Sequence, residues 1–201
     1  MRPVVDAVVL AGGGGRRLGG VSKGEVELAG QRLVDHVLGA LQGARQVVVV
    51  GELPVPEGVL LTREDPPGGG PAAGVVAGLE RLGAESSAAD WVLVLACDLP
   101  GAGEVVPELL AAVEGVGRAV DSVLAVDAAG RPQWLLGVHR WSALARAAAP
   151  LGPARDLPLR ALLGDLHRHE VRPAPVAVED VDTWADHSRW ADRLTREEHT
   201  A

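Results

Sequence analysis

The sequence predicts an α/β fold with a mostly parallel central sheet. Short apolar runs rich in β-branched residues alternate with segments whose apolar residues recur at helical spacing. The connections between them are short and carry Gly, Pro and Asp. This alternation is the pattern of strands joined by crossover helices.

In chain order, Val4 to Ala11 reads as a buried strand that runs into a glycine-rich loop. Leu33, Val37, Leu38 and Leu41 fall on one face of a helix. Gln46 to Val50 is a second strand, ended by Gly51, and Val59 to Thr62 a third. Glu64-Asp65-Pro66-Pro67-Gly68-Gly69-Gly70-Pro71 must be a loop, because its prolines and glycines suit no regular element. A helix follows, marked by Val75, Val76, Leu79 and Leu82. Trp91 to Ala96 is the most apolar strand and stops at Cys97-Asp98-Leu99-Pro100. Glu104 to Val113 is a helix, Ser122 to Val126 a strand, Trp134 to Val138 another strand and Trp141 to Ala148 a helix. Leu157 to Leu163 is a short helix, His167 to Val171 an edge strand, and a last helix starts near Thr183. Residues 1–195 are expected to form one domain, with 196–201 a frayed polar tail.

Composition excludes several classes of function. A length of 201 residues suffices for one real core. A membrane span needs roughly 20 apolar residues. No apolar run approaches that length, and no signal-peptide core follows Met1, so no membrane partner is expected. One cysteine, Cys97, forms no internal disulfide, which fits a reducing cytoplasm. A formal net charge of −8 argues against nucleic acid as a partner. Phe and Tyr are both absent, so five Trp are the whole aromatic supply.

Lys23 is the only lysine, against eighteen arginines. It closes a loop containing Gly12, Gly13, Gly14, Gly15, Gly19 and Gly20, together with Arg16 and Arg17. Such a loop after a first strand offers backbone N–H groups to an anion, and a compact ammonium approaches phosphate as a point charge. The dinucleotide fingerprint G-x-G-x-x-G fails in every register, and Lys23 follows Ser22 and precedes Gly24, unlike a Walker lysine. What remains is a cationic loop suited to a triphosphate.

Leu10-Ala11-Gly12-Gly13, Arg17-Leu18-Gly19-Gly20-Val21-Ser22-Lys23 and Leu28-Ala29-Gly30 resemble the N-terminal signature of the molybdenum cofactor guanylyltransferases, a group of sugar-nucleotidyltransferase-like enzymes. Two positions depart from the pattern: Leu18 stands for Met, and Ser22 for an Asp beside the lysine. The resemblance implies a three-layer Rossmann-like nucleotidyltransferase fold. It also implies nucleotide contacts from Leu10, Ala11 and the loop at Gly12, Gly13, Gly14 and Gly15, with Lys23 and Arg17 balancing the triphosphate.

An Asp at a strand end can bind Mg²⁺ or merely form a turn before Pro100. Cys97-Asp98-Leu99-Pro100 resembles the family's Cys-Asp-Met-Pro, which implies that Asp98 is the magnesium ligand. Asp65, Gly51 and Gly74, the last within Gly70-Pro71-Ala72-Ala73-Gly74, match family positions near the nucleotide. Gly130 to Leu136 resembles the stretch bordering the acceptor pocket, which makes Arg131 and Gln133 acceptor contacts. Asp180-Val181-Asp182-Thr183 resembles the turn before the family's last helix. Asp182 is either a second metal carboxylate or, with Thr183, a helix cap.

The resemblance therefore implies a cytoplasmic, Mg²⁺-dependent transfer of GMP from GTP to the phosphate of molybdopterin, releasing pyrophosphate, with other molybdenum cofactor biosynthesis proteins as partners. Two alternatives stand beside it: cytidylyl or guanylyl transfer to another small phosphorylated acceptor, and a non-catalytic nucleotide-binding relative.

Overall fold

A computed structural model describes residues 3–12, 22–84 and 89–198. The elements are β1 (Val5–Leu10), β2 (Glu27–Leu28), β3 (Gln31–Arg32), α1 (Leu33–Gly39), β4 (Val47–Val50), β5 (Leu60–Thr62) and α2 (Pro71–Ala84). They continue as β6 (Trp91–Ala96), α3 (Ala102–Gly115), β7 (Ser122–Val126), β8 (Pro132–Arg140), α4 (Trp141–Ala148), α5 (Leu159–Leu163), β9 (Arg168–Val171) and α6 (Trp184–Glu198).

Seven strands form one sheet in the order β5-β4-β1-β6-β8-β7-β9, and only β8 runs against the rest. All six residues of β1 are buried, as a central strand covered on both faces requires. Its alternate residues serve different layers: Val5, Ala7 and Val9 pack with α1 and α3, while Val8 and Leu10 pack with α2, α4 and α5. The result is the three-layer α/β arrangement expected from the sequence.

Leu10 at the end of β1 pairs in register with Val50 of β4 and Ala96 of β6. Three parallel strands thus end side by side, with the chain crossing to β4 on one flank of β1 and to β6 on the other. Such a switch point leaves a crevice beyond the strand ends. Gly78 lets α2 lie close over the sheet, since a Cβ there would come within 2.6 Å of Val8.

Two features depart from the expectation. Glu27 to Arg32 folds into a two-residue hairpin, β2–β3, with Ala29 at φ 49° and Gly30 at φ 79°. Both turn residues are left-handed, as such a hairpin demands. Of the expected frayed tail 196–201, residues 196–198 belong to α6, and 199–201 lie outside the described residues. Arg193 pairs with Glu197 at 2.7 Å one turn on, and Thr195 Oγ1 donates to the Ala191 carbonyl. Such pairs four residues apart support a helix end. Trp190 of α6 packs with Val26, Leu28, Leu33 and Val181, fixing the hairpin beneath the helix.

Candidate active site

Asp98 lies one residue past the motif's Cys97, just beyond β6. The Cys97 amide still donates to the Leu10 carbonyl at 3.0 Å, so sheet order persists up to Asp98. Burial, foremost, pushes the Cys97 thiol up to about 12, which makes it a buried apolar group and no nucleophile.

Lys23 opens a 3-10 turn, Lys23–Glu25. Gly24 permits that turn: a Cβ there would lie 2.9 Å from Leu53 and 3.6 Å from Cys97 Sγ. The close approach carries the lysine over the strand end. Its Nζ donates to Asp98 Oδ2 at 2.9 Å and also to Asp182 Oδ1. Burial opposes the charge of Lys23, but the hydrogen bonds and charges of Asp182 and Asp98 outweigh it, holding the ammonium above its ordinary range.

The segment from 180 to 182 is docked by its backbone. The Val181 amide donates to the Asp98 carbonyl at 3.0 Å, and the Val181 side chain is fully buried. Asp180 and Asp182 flank it, and with Asp98 they offer three carboxylate oxygens within 4.8 Å of one another. Burial, then the charges of Asp182 and Asp98, raises the Asp180 carboxyl above its usual range. Three hard oxygen donors so close together fit a divalent cation such as Mg²⁺. The two readings of Asp182-Thr183 are divided between the residues. Thr183 and Asp186 cap α6 reciprocally. Thr183 N donates to Asp186 Oδ2 at 2.8 Å, and Asp186 N donates to Thr183 Oγ1 at 3.2 Å. Asp182 is left to face Lys23.

Two cavities meet at this cluster. One, of about 430 Å³, is lined by Leu10, Gly12, Glu64, Gly70, Gly74 and Cys97 among others. The second, of about 380 Å³, is lined by Gln133, Trp134, Leu159, Asp180 and Asp182 among others. Lys23, Ala96, Asp98 and Leu135 line both.

The structure thus gathers Lys23, Asp98, Asp182, Leu10, Gly12, Gly74 and Gln133 around one crevice. It does not bring in every expected residue. The Ala11 amide is bound to the Val50 carbonyl and its side chain lies in the core. Gly51 donates to Thr62 and packs against the Ala11 backbone, where a Cβ would come within 2.9 Å. Both therefore support the strand ends from behind. Asp65 is exposed, while its neighbour Glu64 lines the first cavity and accepts from the Gly68 amide at 3.0 Å. Arg131 turns away to Asp127 at 2.7 Å, with its side chain 79% exposed. Gly13, Gly14, Gly15 and Arg17 lie outside the described residues. Glu64, Trp134 and Asp180 were not singled out from the sequence. Only Asp180 carried a usable signal there, since residues two apart on an extended segment share a side.

The family model of the MobA-like NTP transferase domain matches residues 7–171. The chain belongs to this family. It is 32% identical over 141 residues to a molybdenum cofactor guanylyltransferase of Shewanella loihica, covering 65% of this chain and 66% of that protein. A protein of the same name from Shewanella frigidimarina is 34% identical over 121 residues, 57% of this chain and 59% of the relative. The matched region thus spans less than two thirds of the length of these family members. Among solved structures, a molybdopterin-guanine dinucleotide biosynthesis protein A from Archaeoglobus fulgidus superposes with a TM-score of 0.70 at 22% identity, covering 95% of this chain and 99% of that one. A 2-C-methyl-D-erythritol 4-phosphate cytidylyltransferase from Thermus thermophilus gives 0.66 at 17% identity, covering 98% and 100%. At these identities the two structures speak for the fold alone.

Proposed function

We propose that this chain is a nucleotidyltransferase that moves GMP from GTP to the phosphate of molybdopterin and releases pyrophosphate. The observation that carries the reading is the placement of Lys23 and Asp98 in the wall common to two cavities. A donor nucleotide in one and a phosphorylated acceptor in the other would meet there. The name of the relatives, molybdenum cofactor guanylyltransferase, supports this choice of the two substrates.

In this reaction an oxygen of the acceptor phosphate forms a bond to the α-phosphorus of GTP. The bond from that phosphorus to the oxygen bridging the β-phosphorus breaks, and the electron pair leaves with pyrophosphate. No protein nucleophile is required, so the protein's work is positioning and charge balance. Gly12, beside which a Cβ would meet nothing, leaves room for the nucleotide to approach backbone closely, while Gly74 lets α2 pack on Leu10 at the cavity wall. Glu64 lines the same cavity, and its carboxylate would accept from donor groups of the nucleoside. Lys23 moves from its carboxylate partners toward phosphate oxygens as negative charge builds on the leaving group. Asp98, with Asp180 and Asp182, would hold Mg²⁺. That ion, when bound, supplies positive charge to the phosphate oxygens. Gln133 lines the acceptor side and would hydrogen-bond the acceptor. The glycine loop at 13–15, with Arg17, would complete the phosphate contacts. The single, buried Cys97 fits a reaction in the reducing cytoplasm. Among the described residues no helix is long and apolar enough to cross a membrane.

Pyrophosphate release is the decisive assay, run with molybdopterin and GTP, CTP or ATP, with and without Mg²⁺. GTP with Mg²⁺ is expected to give the fastest release. Equal rates with CTP, or tight GTP binding without any release, would reject the guanylyl-transfer reading.

A further inference from the structure

The acceptor-side cavity does not end at Trp134. Beyond it lies an open groove of about 520 Å³, lined by Trp134, Arg160, Asp165 and Arg168 among others. Trp134 borders both spaces and is the only aromatic residue among the described linings of either cavity or the groove. Its position follows from an irregular strand. Leu136 and Gly137 of β8 still pair with Leu95 and Leu124, but the next pair on the β7 side is Val126 with Pro132. Residues 133–135 are therefore released from the regular ladder, and such an irregularity re-aims side chains. Trp134 rests partly buried against the core below, while the Arg168 guanidinium stands 5.9 Å from its ring centroid. Arg168 is itself bound to Glu170 at 3.2 Å. Among the described residues, the side chains of Asp165 and Arg160 have no hydrogen-bonding or ionic partner, and both residues are exposed and line the groove.

An aromatic platform beside one free carboxylate and two guanidinium groups matches a particular ligand chemistry. A 2-amino-4-oxopyrimidine ring presents two adjacent N–H donors, which one carboxylate accepts together, and a neighbouring carbonyl that accepts from a cation. Its conjugated face stacks on indole. Both a pterin and guanine carry this edge. The groove shares Trp134 with the acceptor cavity and none of its described lining with the glycine-lined nucleotide cavity, which favours the pterin. We propose that the groove beyond Trp134 is the subsite for the pterin head of the acceptor. In this subsite the pterin takes the place of the Arg168 guanidinium over the Trp134 ring, Asp165 binds the donor edge, and Arg160 with the displaced Arg168 serves the carbonyl. The inference rests on the molybdopterin reading for the identity of the acceptor.

The test compares a phosphorylated 2-amino-4-oxopteridine with its 2,4-dioxo counterpart by calorimetry on the full chain. GTP is titrated in parallel, and pyrophosphate release is measured with molybdopterin. The wild type is expected to prefer the 2-amino ligand by about tenfold or more, because the dioxo ring turns an oxygen toward Asp165. Asp165→Asn should reduce that preference to about threefold or less. Trp134→Ala should weaken both pteridines by about tenfold, and Trp134→Phe should recover most of the loss. GTP affinity should change less than about twofold in each variant. A preference that survives Asp165→Asn, or is absent in the wild type while pyrophosphate is released, overturns the subsite alone. GTP affinity falling in step with pteridine affinity also overturns it, assigning the groove to guanine. If the preference and its loss are seen but molybdopterin yields no pyrophosphate, the subsite stands and the transfer reading fails.

Discussion

Strand β1 links two charged centres that resemble each other in composition and differ in purpose. Near its start, Asp6 is fully buried and gives both oxygens to Arg45, at 2.9 and 2.7 Å. Past its end, Lys23 is shared between Asp98 and Asp182, with Asp180 close by. The first centre matches a bidentate fork to one carboxylate. The second gathers three carboxylates around one ammonium in a crevice open to ligands. A centre built for stability closes its valences. A centre built for chemistry leaves an excess of one sign for a visitor to balance.

The sharpest way to break this contrast is to remove each cation in turn. Lys23→Ala is expected to lower transfer by about 10³-fold. Its urea unfolding free energy should move by only ~1 kcal/mol, since the site is partly solvated. Lys23→Arg should recover little, because a guanidinium fork does not replace a compact ammonium. Arg45→Ala should do the opposite. It removes the bidentate fork that holds a buried carboxylate and costs about 3 kcal/mol of stability, while kcat per folded molecule stays within about twofold. If Lys23→Ala unfolds the chain, or Arg45→Ala abolishes turnover in folded protein, the division of labour is wrong.

A smaller effect tests a third polar pair on the same sheet. His139 is fully buried, its Nδ1 lies 2.9 Å from Ser122 Oγ, and burial lowers its pKa from 6.5 to about 4. The unfolded chain binds this proton near pH 6.5, whereas the folded chain resists it until about pH 4. Stability from this residue is therefore whole above pH 6.5 and falls as pH drops toward 4. The loss over that window is on the order of 3 kcal/mol. His139→Gln should flatten that part of a urea-midpoint profile measured between pH 7 and 4. An unchanged slope would assign the acid sensitivity to other groups. The smallest effect is expected at Arg131, whose exposed pair with Asp127 is dispensable. Arg131→Ala should alter the acceptor KM by less than about twofold, and a tenfold rise would place it back in the acceptor site.

The long elements were legible because periodicity averages over many residues. The bounds of β6, β7 and α4 agree with the segments read from apolar pattern alone. The β2–β3 hairpin was not legible, since two-residue strands carry no period. Lys23 and Asp98 were readable through composition and motif, and their contact follows from Gly24, whose missing Cβ lets the turn settle on Leu53 and Cys97. Asp65 and Glu64 show the opposite case. In a loop of prolines and glycines no rule of alternation says which of two neighbouring acids faces inward. The same applies between Gln133 and Trp134, where β8 leaves its ladder and sequence parity ceases to report the side.

The shared wall between the two cavities also constrains kinetics. On the proposed reading, with the nucleotide in one space and the acceptor in the other and Lys23 and Asp98 bordering both, neither substrate has to leave before the other enters, and the transfer needs no covalent nucleotidyl-enzyme. Initial-rate plots should therefore intersect, as for a ternary complex, with no parallel-line pattern. A single displacement across that wall also inverts configuration at phosphorus, so the α-phosphorus of a chiral guanosine α-thiotriphosphate would appear in the dinucleotide product with its configuration inverted.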